Sequence, residues 1–551
     1  MSGHPPGAKA TEKGSHPRVA ILGWGAGERQ DDIFQRLLHG SLSSNSAATG
    51  LTFRTRNRPP YWGYTGVVSA EEPVFGWDSV TVVAVVYAGV EIIGIAVALR
   101  AIMTARTSQG AVAWAIGLIT FPWAALPLYG ILGGRRFRGY VAARRRGDAE
   151  IHRLLPRIGT SRSGGLAEQF PEFSGQIRAA ERLAEMSFTP SNQARLLING
   201  NETFDAMFSG IASARDYLLL EFYILRDDEL GRKLRDQLID KLSEGVRVFL
   251  LYDRIGSQSL PRRYLAPLIE AGAETAPFVS SRNPMRRLQV NFRNHRKILV
   301  VDGKAAFVGG HNVGNEYLGS HPKLSPWRDT HVEVRGPAAL AVQLAFVEDW
   351  YWAKEHLPEL NWSEQRGQHG EIPVLVLSSG PADEIETCGL FVLHAINSAR
   401  RRLWITSPYF VPDEAVVAAL QLAAIRGVDV RVMLPAKADN WLVHLAGFAY
   451  IPEARKAGVR LFRYRAGFLH QKVMLMDDVG IVGTANLDNR SFRLNFEMTL
   501  VFADAAFAAE VAGMLERDFA QCDEISQTDV RRLPFLTRIS ASTARLFAPV
   551  L

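Results

Sequence analysis

The sequence predicts an α/β protein of two similar halves set behind a hairpin of two membrane-spanning helices. Three observations carry this reading. Two apolar segments near the N-terminus are each about the 20 residues a helix needs to cross a hydrocarbon core. Beyond them, strand-length apolar runs alternate with amphipathic helical stretches, and the same order occurs twice. Both repeats arrive at one pattern, His-x-Lys-x-x-x-x-Asp followed by Gly-x-x-Asn.

The chain has 551 residues, 47% of them hydrophobic, so it holds more than one ordinary domain and enough apolar mass for a large core. Its net charge of +7 suits anionic partners: nucleic acid, phospholipid headgroups or phosphorylated metabolites. Cys388 and Cys522 are the only cysteines and form no C-x-x-C pair, which argues against a disulfide scaffold or a cysteine-based zinc site. Residues 1–75 are rich in Gly, Ser, Pro and Arg and lack a secretory n-region and h-region. They are expected to form a disordered or weakly structured N-terminal extension.

Residues 76–134 form the expected hairpin, with spans 79–99 and 111–132. Glu91 is the only charged residue in either span, whereas a buried soluble helix of this length would carry a polar stripe. Pro122 and Pro127 are expected to kink the second span. Basic residues cluster outside the connector, at Arg54, Arg56 and Arg58 and again at Arg135, Arg136, Arg138 and Arg144–Arg146. Both ends of the hairpin are therefore expected to face the cytoplasm, which places a multi-pass protein in the inner (plasma) membrane with its body cytoplasmic. Residues 135–185 read as a basic linker able to rest on anionic headgroups.

The two α/β halves are residues 186–365 and 370–525. In the first, YLLLEFYIL, ELGRKLRDQLIDKLSEG and VRVFLLYD read as strand, helix and strand. In the second, RLWITSPYFV, DEAVVAALQLAAIRG and VDVRVML repeat the order. The tail, 526–551, mixes Arg with Leu, Phe and Ile. It fits either an amphipathic segment on the membrane surface or a helix packed on the body.

Alternate residues of a strand share a face, so His295 points with Lys297, and His470 with Lys472. The next strand brings small residues and then Asn312 or Asn486 back beside each pair, where backbone amides could approach an anion. One copy is half an anion site and two copies make a whole one. That composition suits double displacement at a phosphodiester: one neutral imidazole attacks phosphorus, and the opposed imidazolium protonates the leaving alkoxide. The lysines and asparagines hold the non-bridging oxygens. Asp302 and Asp477 complete the motif and are grouped with its catalytic side chains. At the strand ends they are equally suited to closing a turn. Aligning WRDTHVEV with NFEMTLVF matches Asp329 with Glu497, and these are the expected carboxylate partners that orient the histidines. A zinc site on His295, His311 and His470 is disfavoured by the paired lysines, so no metal or other cofactor is expected.

HRKILVVDGKAAFVGGHNVGNEYLG, PWRDTHVEVRGPA, SPYFVPDE and HQKVMLMDDVGIVGTANLDNRSFRLNFE, in this order behind a membrane hairpin, resemble the phospholipase D (HKD) superfamily. More narrowly they resemble bacterial cardiolipin synthases. The resemblance covers about residues 77–525. It implies phospholipase D-like halves related by a pseudo-twofold axis, with the site at their interface. It also implies metal-independent conversion of two phosphatidylglycerol molecules to cardiolipin and glycerol, with His295 as nucleophile and His470 as acid and base. The residues alone do not rank the two histidines. Phosphatidylglycerol and anionic membrane lipid are the expected partners. Nucleic acid is not, because the basic charge concentrates beside the spans; homo-oligomerisation stays open. The rival readings are a lipid-hydrolysing phospholipase D, a superfamily nuclease and a non-catalytic scaffold.

Overall fold

The computed structural model describes residues 78–104, 108–133, 140, 165–279, 291–363, 370–526 and 534–551. The chain divides into Met1–Gly76 and Trp77–Leu551, and the described residues all belong to the second unit. The expected N-terminal extension and most of the basic linker lie outside them.

The first apolar segment is one helix, Ser79–Thr104, five residues longer than the span expected. It buries only Gly94, Ala98 and Ala101. Val80, Ile92 and Met103 stay 73%, 68% and 77% exposed, the reverse of a soluble core helix. Glu91 accepts a hydrogen bond from Tyr87 one turn away. The second segment is not the single helix expected. It forms Ser108–Thr120 and Pro122–Leu132, divided at Phe121. Pro122 takes the first turn of the later helix, where its missing N–H costs nothing, while Pro127 is carried inside it. Among the described residues, one helix is long and apolar enough to cross a membrane. Gly94 lets the first two helices close up: a Cβ there would lie 2.5 Å from the Leu118 carbonyl oxygen.

The body is built on one sixteen-stranded sheet and two short two-stranded pairings outside it. Its earlier strands are β1 (Thr189–Ile198), β2 (Tyr217–Phe222), β3 (Arg247–Asp253), β4 (Glu274–Phe278), β5 (Arg293–Asn294), β6 (Ile298–Val301), β7 (Ala305–Gly309), β8 (Trp327–Arg328) and β9 (Thr330–Arg335). The later ones are β10 (Ile372–Ser379), β11 (Arg402–Thr406), β12 (Phe410–Val411), β13 (Asp429–Pro435), β14 (Arg460–Tyr464), β15 (Phe468–Leu469), β16 (Val473–Met476), β17 (Val479–Gly483), β18 (Leu487–Asp488), β19 (Asn495–Phe502) and β20 (Cys522–Glu524). Antiparallel β1 and β10 meet at the centre. Outward from β1 the order is β9-β7-β6-β2-β3-β4, and outward from β10 it is β19-β17-β16-β11-β13-β14, with β20 added antiparallel at that edge and β5 beside β19. Inner neighbours pair antiparallel, and β2-β3-β4 and β11-β13-β14 pair parallel. The near-continuous apolar strands are those of a sheet covered on both faces. Helix Pro337–Lys354 is buried on nearly every side. Its Phe346 and Trp350 join a core that includes residues of β10, β16 and β19.

The stretch 135–185 is more than a linker. Ser174–Ala184 is a helix packed on β10 and on helix Thr387–Ser398, with Ala180 in their core. Its apolar residues Ile177, Ala180, Leu183 and Ala184 fall at helical spacing. Tyr140 is buried too, its hydroxyl donating to Asp349 Oδ1 at 2.7 Å. The tail forms helix Phe535–Arg545, which packs on helix Trp441–Phe448.

Candidate active site

Two very short parallel pairings carry the histidines from one strand set to the other. β5 lies along the start of β19, and β15 lies along β8. His295 N–H then donates to the Phe496 carbonyl at 2.9 Å, and His470 N–H to that of Arg328 at 2.8 Å. This register brings His295 Nδ1 to 3.0 Å from both Glu497 oxygens and His470 Nδ1 to 2.7 Å from Asp329 Oδ2. The expected partners are met crosswise, each carboxylate coming from the other strand set. With Nδ1–H donating to carboxylate, each Nε2 keeps its lone pair. Both rings line one cavity of about 270 Å³.

The carboxylates are themselves fixed. Glu497 accepts from Thr484 Oγ1 at 2.5 Å, Ser491 Oγ at 2.8 Å and Asn495 Nδ2 at 3.1 Å. Asp329 accepts from Thr330 N–H at 2.8 Å and, more weakly, from Trp327 Nε1 at 3.4 Å. Burial alone would raise both acids. The facing imidazoles and lysines hold both below their ordinary values.

Lys297 Nζ donates to the His295 carbonyl, and Lys472 Nζ to that of His470. Lys472 Nζ also lies 3.0 and 3.2 Å from the His470 ring nitrogens. Burial pushes His295 down to about 4, with Glu497 opposing and Lys297 reinforcing. Burial, and next Lys472, also lower His470. Burial brings Lys297 to about 7 and Lys472 to about 8, although carboxylates oppose both shifts. The site therefore holds neutral imidazoles beside two lysines whose charge burial disfavours, an arrangement that an anion placed among them would stabilise.

Asn312 and Asn486 both reach the cavity wall. Asn312 is already committed, accepting from Ile224 N–H at 3.0 Å and donating to Tyr317 Oη at 2.7 Å. One N–H of its amide is thereby engaged in bracing Tyr317, and the expected hold on a phosphate oxygen would fall to the other. Asn486 Oδ1 meets no partner among the described residues. The small residues ahead of the asparagines also serve a different end than expected. A Cβ on Gly310 would sit 1.9 Å from Asp329 Oδ1, and one on Gly483 2.4 Å from the Met498 carbonyl oxygen. They make room for the neighbouring strand and its carboxylate.

Asp302 and Asp477, grouped above with the catalytic side chains, are not in the cavity. Both have left-handed backbone, with φ of 53° and 50°. Asp302 accepts 2.9 Å bonds from the N–H groups of Arg215, Asp216 and Tyr217. Asp477 accepts from the N–H groups of Arg400, Arg401 and Arg402 at 2.9, 2.8 and 3.0 Å. They tie the far strand ends to the starts of β2 and β11. Asp302→Ala orphans three donors and should cost on the order of 2 kcal/mol or more. Turnover per folded molecule should stay within a few-fold. A thermal melt beside an active-site-titrated assay checks both, and a wild-type Tm with a collapsed rate would return Asp302 to the chemistry.

Sequence reasoning missed the aromatic and acidic wall. Tyr223, Tyr317, Trp327, Tyr409 and Asp439 line the cavity, and Tyr409 Oη donates to Asp439 at 2.6 Å. The available signal was the placing of Tyr223 and Tyr409 at equivalent points of the two repeats. Among the described residues no three His, Cys, Asp or Glu side chains gather so as to hold a metal ion. His311, considered above as a ligand, lies instead against His331, ring centroids 5.5 Å apart.

A family model described as "Cardiolipin synthase, PLD-like domain" matches residues 207–323 and 392–520. Cardiolipin synthase A of Pseudomonas putida KT2440 is 49% identical over 465 residues, covering 84% of this chain and 96% of the relative. The chain belongs to the cardiolipin synthase family. A second member, Cardiolipin synthase A of Pseudomonas aeruginosa LESB58, is 47% identical over 477 residues, or 86% of this chain and 97% of that one. In this cardiolipin synthase family member the earlier matched segment holds His295, Lys297 and Asn312, and the later one holds His470, Lys472, Asn486 and Glu497. The phosphatidylserine synthase of Haemophilus influenzae has a like fold, with a TM-score of 0.52, 15% identity and coverage of 68% of this chain and 100% of that one.

Proposed function

We propose that the chain is a phosphatidyltransferase that joins two phosphatidylglycerol molecules into cardiolipin, releasing glycerol, by way of a phosphohistidine. The observation that carries this reading is the pair of carboxylate-backed imidazoles on one cavity. His295 Nε2 attacks the phosphorus of the first lipid, and the P–O bond to its headgroup glycerol breaks. His470, protonated as the anion binds, gives its proton to the departing oxygen. The hydroxyl of a second phosphatidylglycerol then loses its proton to His470 and attacks the same phosphorus. The P–N bond breaks, and His295 returns neutral. Lys297 and Lys472 offset charge on the non-bridging oxygens. Glu497 and Asp329 are positioning residues that fix the tautomers.

Two further readings accompany this one. The matching strand order on the two sides of β1 and β10 supports a duplicated α/β fold with pseudo-twofold symmetry. The exposed apolar helix Ser79–Thr104, together with the two shorter helices after it, supports a membrane hairpin whose basic flanks lie on the cytoplasmic side of the inner membrane.

The test is mass spectrometry of lipids made from phosphatidylglycerol vesicles by purified protein, with and without chelator. Cardiolipin and glycerol in equal amounts, unchanged by chelation, are expected. Phosphatidic acid alone would make the chain a hydrolase. The pH dependence has a defined sign. For free protein, kcat/KM should fall as pH drops through the His295 value of about 4, since the nucleophile must be neutral. It should also fall as pH rises past about 7 to 8, where Lys297 and Lys472 lose their charge. A flat profile between pH 6 and 9, in the sense of bell-shaped profiles reporting such groups, would remove the lysines from anion binding.

A further inference from the structure

The helix Phe535–Arg545 is packed inside out. Ala541 and Ala544, with Ala548 beyond, are buried against the body. The large apolar side chains face away: Leu536 and Leu546 are 75% and 78% exposed, and Phe535, Ile539 and Phe547 are exposed with them. Water-soluble helices bury the large side chains and expose the small or polar ones. The described tail, residues 534–551, contains Arg538 and Arg545 and no Asp or Glu.

The surface beneath this helix leads to the reaction cavity. Helix Trp441–Phe448 carries the tail, and its first residue, Trp441, is 69% exposed. Asp439, two residues earlier, lines the cavity. At the other end, the Leu551 carbonyl accepts from Arg490 N–H at 3.0 Å. Arg490 stands beside Ser491, which bonds Glu497 at 2.8 Å. An exposed apolar patch that carries Arg538 and Arg545, with Asp439 at its inner end, thus runs from the chain end to the cavity mouth.

We infer that this patch docks on an anionic bilayer surface, with helix Phe535–Arg545 lying in the membrane plane at the headgroup boundary. The large side chains enter the acyl region, and the two arginines meet phosphate. Docking holds the cavity mouth at the depth where a lipid headgroup can enter without the lipid leaving its leaflet. The inference goes beyond the proposed function and does not depend on which product is made.

Full-length protein carrying Cys522→Ser is labelled with an environment-sensitive fluorophore at Leu536→Cys, Leu546→Cys or the exposed reference Ser243→Cys, Cys388 being buried. In phosphatidylglycerol-containing vesicles, labels at 536 and 546 should shift to the blue and lose about half their emission to spin-labelled lipid, as interfacial helices do. The label at 243 should do neither. A water-like spectrum at 536 and 546 would overturn the docking. So would a blue shift without lipid quenching, which would mean a protein occupant such as a second copy. As a second readout, Leu536→Ser/Leu546→Ser/Phe547→Ser should lose turnover on vesicles but keep it on short-chain phosphatidylglycerol in micelles. Undiminished turnover on vesicles would also refute the inference. Quenching is read whether or not cardiolipin forms, so failure here and failure of the proposed reaction are told apart.

Discussion

His295→Ala and His470→Ala should each lower phosphatidyl transfer by on the order of 10⁴-fold, because in the proposed reaction each removes a bond-making or proton-moving group and not merely a binding contact. The two losses differ in kind, and the difference assigns the roles. With His295 gone no phosphohistidine forms, whatever the leaving group. With His470 gone the first displacement lacks only its acid. A phosphatidyl ester of a nitrophenol, whose leaving group needs no protonation, should then react with His470→Ala in a single burst and leave a phosphatidyl group on His295. Glycerol as leaving group should leave that variant silent. Intact-protein mass spectrometry reads the adduct directly. An adduct on His470 in the His295→Ala protein would reverse the roles, and none in either protein would remove the covalent step. Glu497→Gln should sit between wild type and these, because the ring stays in place but its tautomer is no longer held by a carboxylate.

The chemistry-bearing side chains were legible because short-range rules place them. Period-two alternation set His295 with Lys297 and His470 with Lys472, and aligning the repeats found Asp329 and Glu497. What the alignment did not reveal is the crossing. Each histidine meets the carboxylate of the opposite repeat, across 202 and 141 residues of chain. That depends on two-residue strands, β5 and β15, too short to leave a pattern. The misread residues share another cause. Asp302, Asp477 and Gly310 belong to a compact motif, and nearness in sequence suggested nearness to substrate. The extended strand instead carries the aspartates five residues beyond the lysines, to where bare N–H groups wait. The broken second span was half legible: Pro122 announced a disturbance, but its fit at a helix start turns a kink into a division. Tyr140 and the helix Ser174–Ala184 were hidden by the basic run around them, which made the whole stretch read as a tether.

The residue between histidine and lysine in the motif bears the second large effect. Arg296 faces the opposite way from its neighbours, into the core, and is 2% exposed. Its Nη1 donates to Asp349 Oδ2 at 2.5 Å, and the same carboxylate accepts from Asn294 at 2.8 Å and Tyr140 at 2.7 Å. Glu221 lies beside them, its carboxyl pushed up by burial and then by Asp349, and its Oε2 meets no hydrogen-bond partner among the described residues. Asp349 is therefore the counter-charge to a buried guanidinium. Asp349→Ala leaves that cation uncompensated and should cost about 3–5 kcal/mol, seen as a Tm lowered by several degrees in the solubilised full chain. Arg296→Met/Asp349→Leu should recover much of the loss, because the cost lies in the stranded charge. The later His-x-Lys motif solves the same problem differently. Gln471 stands where Arg296 does, and it donates to Asp518 at 2.7 Å. Arg328, on the strand beside Asp329, supplies the cation with bonds of 2.8 and 2.7 Å to Asp518. In both places a helix carboxylate pulls the motif's middle residue inward, and strand alternation then turns histidine and lysine to the other face. If Asp349→Ala melts with the wild type, that anchoring is absent and the aim of His295 must come from Glu497 alone.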